Sequence, residues 1–134
     1  MSTIVRVIIR FHEPNYWNTI FMQSIQQALV SFFEQVAEKN NSLFTNLKQE
    51  QSFTVEQYCW SFTLPSLHAY LQHQDDMFNG IEYKQFRQLI FNSPINQAVK
   101  LHGAEITIAE NRGKVDKSTY AMVWPSGNKE TPFT

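Results

Sequence analysis

Residues 82–124 read EYKQFRQLIFNSPINQAVKLHGAEITIAENRGKVDKSTYAMVW, and this stretch decides the fold. Tyr83, Phe86 and Ile90 stand at i, i+3 and i+7, one face of a 3.6-residue period, and predict a helix over 82–91. Asn92-Ser93-Pro94 interrupts it. Ser93 suits an N-cap and Pro94 the first helical position, where a missing N–H costs nothing. A second helix over 94–102 is expected to bury Ile95, Ala98 or Val99, and Leu101, with Gly103 free to take the positive φ that ends a helix. Beyond Gly103 the period drops to 2. Ile106 and Ile108 alternate with Glu105 and Thr107, and Tyr120, Met122 and Trp124 with Ala121 and Val123, so two short strands follow. Asn111 to Lys117 lies between them, polar and carrying Arg112, Lys114 and Lys117, which makes a β-hairpin with a long basic tip.

Working outward, TIVRVIIRFH at 3–12 sets Val5, Val7, Ile9 and Phe11 on one side and Ile4, Arg6, Ile8 and Arg10 on the other, the pattern of a strand. A long amphipathic helix is predicted from about Asn15 or Tyr16 to Lys39. Its apolar stripe of Phe21, Ile25, Ala28, Phe32 and Val36 is widened by Trp17, Leu29 and Phe33 and faces Gln23, Gln27, Ser31, Glu34 and Glu38. Asn40-Asn41 ends it. Leu43, Phe44 and Leu47 suggest a helical turn. Alternation at Tyr58, Trp60, Phe62 and Leu64 predicts a strand over about 52–63; a short helix starting at Pro65 and a polar loop over 72–80 complete the chain to Ile81. The order β-α-β-α-α-α-β-β is an α+β pattern with a mostly antiparallel sheet. One domain over 1–124 is expected, with 125–134 as a flexible tail.

Composition bounds the function. The net charge is −1, split as four cations against seven acids in 1–81 and seven against five in 82–134, so nothing pulls the whole chain toward nucleic acid or an anionic membrane. The single cysteine, Cys59, has no internal disulfide partner and fits a reducing compartment. No signal-peptide pattern opens the chain, and no segment approaches the ~20 apolar residues of a membrane span. The expected setting is the cytoplasm.

Chemistry-bearing motifs are sparse. His68 and His73 stand five apart, with Asp75-Asp76 close behind, but the zinc-protease spacing is i, i+4 and a pair of surface histidines accounts for them. Cys59 between Tyr58 and Trp60 fits burial as a small apolar residue. Tyr58, Trp60 and Phe62 share a strand face but lack the flanking cations of a base-stacking platform, and core packing explains them better. There is no GxGxxG, Walker loop or GxSxG. An enzyme is therefore not expected, nor a cofactor or metal.

Two functional expectations follow. The leading one is a non-catalytic protein that binds a protein partner, or a second copy as a homodimer. It rests on low charge, abundant aromatics, and the broad apolar face of the long helix, with Trp17, Phe21, Leu29 and Phe33 as the candidate interface. The alternative is a winged-helix-like DNA-binding regulator, because helix, turn, helix and hairpin occur in that order. Pro65–Gln74 would then be its first helix and 81–83 a small extra strand. Asn96, Gln97 and Lys100 would meet bases, and Arg112, Lys114 and Lys117 phosphates. Against it, one cation is few for a recognition helix whose affinity comes mainly from phosphate contacts.

Overall fold

The computed structural model describes residues 14–125, with side chains from Thr19 onward. Among these residues five α-helices and a four-stranded antiparallel sheet make one α+β fold. In chain order these are α1 (Pro14–Ala37), α2 (Asn41–Lys48), β1 (Thr54–Glu56), β2 (Cys59–Phe62), α3 (Leu64–Gln74), a 3-10 helix (Asp76–Gly80), α4 (Tyr83–Asn92), α5 (Ile95–Lys100), β3 (Glu105–Glu110) and β4 (Thr119–Val123). The strand expected over 3–12 and the expected tail beyond Pro125 lie outside the described residues.

The sheet order is β1-β2-β4-β3, every pair antiparallel. Register puts Trp60 opposite Met122, Phe62 opposite Tyr120, and Ile106 and Ile108 opposite Met122 and Tyr120, so these side chains share one face. The α1 helix packs on that face through Phe33, whose ring lies 5.9 Å from Trp60 and 6.1 Å from Phe62. A second layer, α5, meets α1 on another side. The breadth of the apolar arc on α1 thus has an internal cause: two layers cover it. Ile25, Leu29, Phe33 and Val36 are all at or near zero exposure.

The end of α1 is pinned from three directions. Lys39 takes φ +61°, the left-handed conformation that turns the chain. Its ammonium donates to the Gln57 carbonyl at 2.7 Å and sits 4.4 Å from the Tyr58 ring and 4.8 Å from Trp124. The Trp124 indole N–H, which is buried, donates to the Ala37 carbonyl at 2.9 Å. Asn40 then caps α2, its Oδ1 accepting from the Leu43 N–H.

Several sequence expectations are corrected. The strand over 52–63 is a hairpin: Glu56 pairs with Cys59 and the chain reverses at Gln57-Tyr58, leaving Tyr58 exposed while Trp60 and Phe62 are buried. The polar loop over 72–80 is mostly helical. The α3 helix reaches Gln74, Asp75 Oδ1 accepts from the Met77 N–H, and the 3-10 helix that follows buries Phe78. No strand forms at 81–83; Ile81 is a buried bend and Tyr83 opens α4, whose capping box joins Glu82 and Gln85. Ser93 does not cap α5. Its hydroxyl donates back to the Leu89 carbonyl at 2.6 Å, and Pro94 stands outside the helix as N-cap. Leu101, expected in the core, is 80% exposed, and burial falls on Ile95 and Val99. The positive φ of Gly103, +79°, ends that helix as predicted.

Candidate functional site

A cleft of about 400 Å³ opens between the C-terminal end of α4, the short α5 and the β3–β4 hairpin. Phe33, Phe62 and Ile90 form its floor and walls, with Ile106 and Tyr120 from the hairpin. At its mouth, Phe91 is 55% exposed, Ile108 56% and Val115 40%. Three large apolar side chains gathered around one opening differ from isolated exposed residues, which are ordinary on any surface.

Sheet topology adds a second element. β3 is an edge strand, and among the described residues no strand pairs with its outer side. Asn96 satisfies part of that edge by imitating a neighbouring strand: its Oδ1 accepts from the Ile106 N–H at 2.7 Å and its Nδ2 donates to the Ile106 carbonyl at 3.3 Å. Backbone groups alternate along a strand, so those of Ile108 point the same way as those of Ile106. They lie past the reach of Asn96, beside the cleft mouth. A register shift between Ile108 and Glu110 closes the regular part of the strand.

The hairpin tip folds back onto α4. Asp116 accepts from the Tyr83 hydroxyl at 2.6 Å and from Arg87 at 3.1 and 3.2 Å. The Tyr83 hydrogen bond, foremost, and the Arg87 guanidinium hold the Asp116 carboxyl below its ordinary range, while burial and that same hydrogen bond push the Tyr83 phenol up. Ser118, buried, donates to the Lys114 carbonyl and accepts from the Arg112 N–H, which fixes the turn.

The sequence-derived candidates scatter across this geometry. Leu29 and Phe33 are core residues at 0% and 1% exposure and form no outward face of α1; of the two, Phe33 lines the cleft from inside. Phe21 is exposed at one edge, its ring lying over Gly80 where a Cβ would approach within 2.6 Å. The side chain of Trp17 lies outside the described residues. Asn96 is committed to Ile106, and Arg112, exposed, pairs with Glu110 at 3.1 Å. Gln97, Lys100, Lys114 and Lys117 are exposed. No group of three or more His, Cys, Asp or Glu among the described residues is placed to hold a metal. His68 lies stacked 4.7 Å from Phe86 in the core, whereas His73 is exposed near the end of α3. Cys59 is half-buried, its sulfur 3.7 Å from the Ser61 hydroxyl. None of the described helices is long and apolar enough to cross a membrane.

Phe91, Ile108 and Val115 were not among the sequence candidates. Phe91 and Val115 are apolar residues left over beyond the helical and strand stripes, whereas Ile108 belongs to its strand's alternation and stands out only once β3 is known to be an edge.

No protein-family model matches the chain, and neither curated proteins nor solved structures give a match.

Proposed function

We propose that this chain is a non-catalytic binding domain that engages a protein partner by taking an extended apolar segment into the cleft beside β3. The observation that carries this is the coincidence of a strand edge, which beyond Asn96 no described strand pairs, with an apolar mouth formed by Phe91, Ile108 and Val115. Strand addition of this kind uses the edge backbone for affinity and a side-chain pocket at alternate positions for specificity. The lining supports binding over chemistry: two of its polar side chains, Ser93 and Asn96, are already hydrogen-bonded to the backbone.

The test is selection of displayed peptides against the full chain, repeated with Ile108→Lys. A lysine on an edge strand is a known obstacle to strand addition. Peptides of alternating apolar residues should be enriched and should lose roughly tenfold or more in affinity to the variant, which is about 1.4 kcal/mol of binding. Failure to enrich any such peptide, or equal binding to Ile108→Lys, would remove the proposal. Self-association through the same edge is one form of it, seen as an oligomeric state that the variant abolishes.

DNA binding remains the second reading, favoured by the exposure of Lys100, Lys114 and Lys117. Fluorescence anisotropy with a random duplex at low and raised salt, beside the triple variant Lys100→Glu, Lys114→Glu, Lys117→Glu, decides it. Binding that weakens steeply with salt and disappears in the variant supports it; no binding at low salt dismisses it.

A further inference from the structure

We propose that the partner of this cleft is an acidic peptide segment anchored by one aromatic residue. The aromatic side chain fills the cleft, its backbone pairs with Ile108, and carboxylates beside it meet Lys114 and Lys117. This rests on the cleft being a protein-binding site, and it narrows the apolar part of the bound segment to a single anchor.

Three observations converge. The first is how short the stretch of β3 edge open to pairing is. Asn96 holds both backbone groups of Ile106, and the register shift after Ile108 ends regular pairing on the other side. Between the two stands Ile108, whose N–H and C=O can join a strand partner through two hydrogen bonds. Two such bonds give only modest net affinity. A segment bound here therefore depends on what it places in the cleft.

The second observation is the cleft itself. A residue paired with Ile108 carries its side chain on the same sheet face, where Phe33, Phe62 and Tyr120 line the interior. Its volume of about 400 Å³ is that of a pocket for a small ligand, roughly 300–1,000 Å³, so one side chain that fills it is a large one. Aromatic walls favour an aromatic occupant, packed offset or edge-on, and aromatic residues are the commonest anchors of protein interfaces.

The third observation is charge. Val115, at the mouth, lies in a single turn closed by the Ser118 N–H on the Lys114 carbonyl at 3.0 Å. The two acids flanking the mouth along the chain are already paired, Glu110 with Arg112 and Asp116 with Arg87. Lys114 and Lys117 are exposed and form no ion pair with any described residue. The rim is thus left positive, which complements an anionic segment and disfavours a cationic one.

Fluorescence anisotropy with the full chain tests this. The probe is an end-blocked, labelled nonapeptide with a central tryptophan, two glutamates on each side of it and serine elsewhere. Three altered peptides accompany it: alanine for tryptophan, lysine for all four glutamates, and a methyl group on the tryptophan backbone nitrogen, which removes the donor to the Ile108 carbonyl. The parent should bind saturably and each alteration should weaken it about tenfold or more. The protein variant Lys114→Glu, Lys117→Glu should reverse the preference, so that the lysine peptide binds better than the parent. A parent that binds no better than its alanine or N-methylated form overturns the proposal, as does a folded variant that still prefers glutamate. Where the variant fails to fold, the peptide comparisons on the wild type decide. Tighter binding of a random duplex than of the parent, lost in the same variant, assigns the lysines to phosphate and overturns it too. If the parent fails while uncharged apolar peptides bind in an Ile108-dependent way, the cleft remains a protein site and this partner alone is wrong; if neither binds, both readings fall.

Discussion

Leu29 sits at zero exposure one turn before Phe33, on the part of α1 covered by the sheet and α5, so Leu29→Ala opens a cavity in the monomer's core. Leucine-to-alanine changes at such sites cost about 2.7–5 kcal/mol, the spread reflecting how far the surroundings collapse. We take about 3 kcal/mol, because two aromatic rings, Phe32 and Phe33, lie edge-on at 5.5 Å in the next turn and limit that collapse. The unfolding entropy of a chain of 134 residues is about 0.28 kcal/mol/K at roughly 2.1 cal/mol/K per residue. The midpoint should therefore fall by about 11 °C. Near-UV circular dichroism during thermal unfolding measures it, at two protein concentrations about a hundredfold apart. An equal fall at both concentrations identifies a core residue. If instead the wild-type midpoint rose with concentration and Leu29→Ala abolished that rise, Leu29 would belong to an interface between copies, and the packing described above would be wrong at its centre. A fall of less than about 2 °C would equally contradict it.

Other consequences are as specific. Asn96→Ala removes both hydrogen bonds to Ile106 and should cost about 1 kcal/mol in urea unfolding, with faster exchange of the Ile106 amide; unchanged exchange there would mean that Asn96 does not shield the edge. Asp116 has its folded pKa depressed, so its contribution is present above the unfolded carboxylate value, near ~3.9, and is lost as pH falls through the folded value. Asp116→Asn should therefore flatten the acid limb of the stability curve, and an unaltered limb would exclude the Tyr83–Asp116–Arg87 cluster as its source. Burial, opposed by a hydrogen bond to the Ile81 backbone, lowers the His68 pKa, so its contribution is present above the ordinary imidazole value of about 6.5 and declines as pH falls below it. His68→Phe should weaken the dependence of urea stability on pH across that window. Trp124→Phe leaves the buried Ala37 carbonyl without its indole donor and should cost roughly 1–3 kcal/mol in the same assay; a loss within error would show that water replaces it.

Local signals in the sequence were read correctly where they were strong. The periodicity of α1, the period change at Gly103 and the polar tip between two alternating runs yielded the long helix, the α4–α5 pair and the β3–β4 hairpin. Weak signals failed for identifiable reasons. Gln57-Tyr58 makes a two-residue reversal without glycine or asparagine, the residues that usually mark one, so unbroken alternation read as a single strand. Asp75 caps the 3-10 helix within a stretch that composition marks as loop, and only the burial of Phe78 reveals the turn as structured. At 92–95, a serine and a proline in good capping order misled, because the Ser93 hydroxyl found the Leu89 carbonyl first.

The candidate site was hidden for a deeper reason, since it depends on which strands are neighbours. Periodicity assigns Ile108 to a strand face but cannot say that β2 takes the inner side of β4 and that no described strand takes the outer side of β3. The same holds for Asn96. From the sequence it is an exposed polar residue on a helix and suits a base edge; in the fold it is the group that pairs with Ile106, ten residues on. Its amide presents a donor and an acceptor at strand spacing, which is what a base edge and a β-edge both require. A neighbouring backbone is always at hand, and it claims such a group before any external ligand does. Asn96 therefore marks where the edge is already satisfied, and Ile108, one pleat further along, where no described strand meets it.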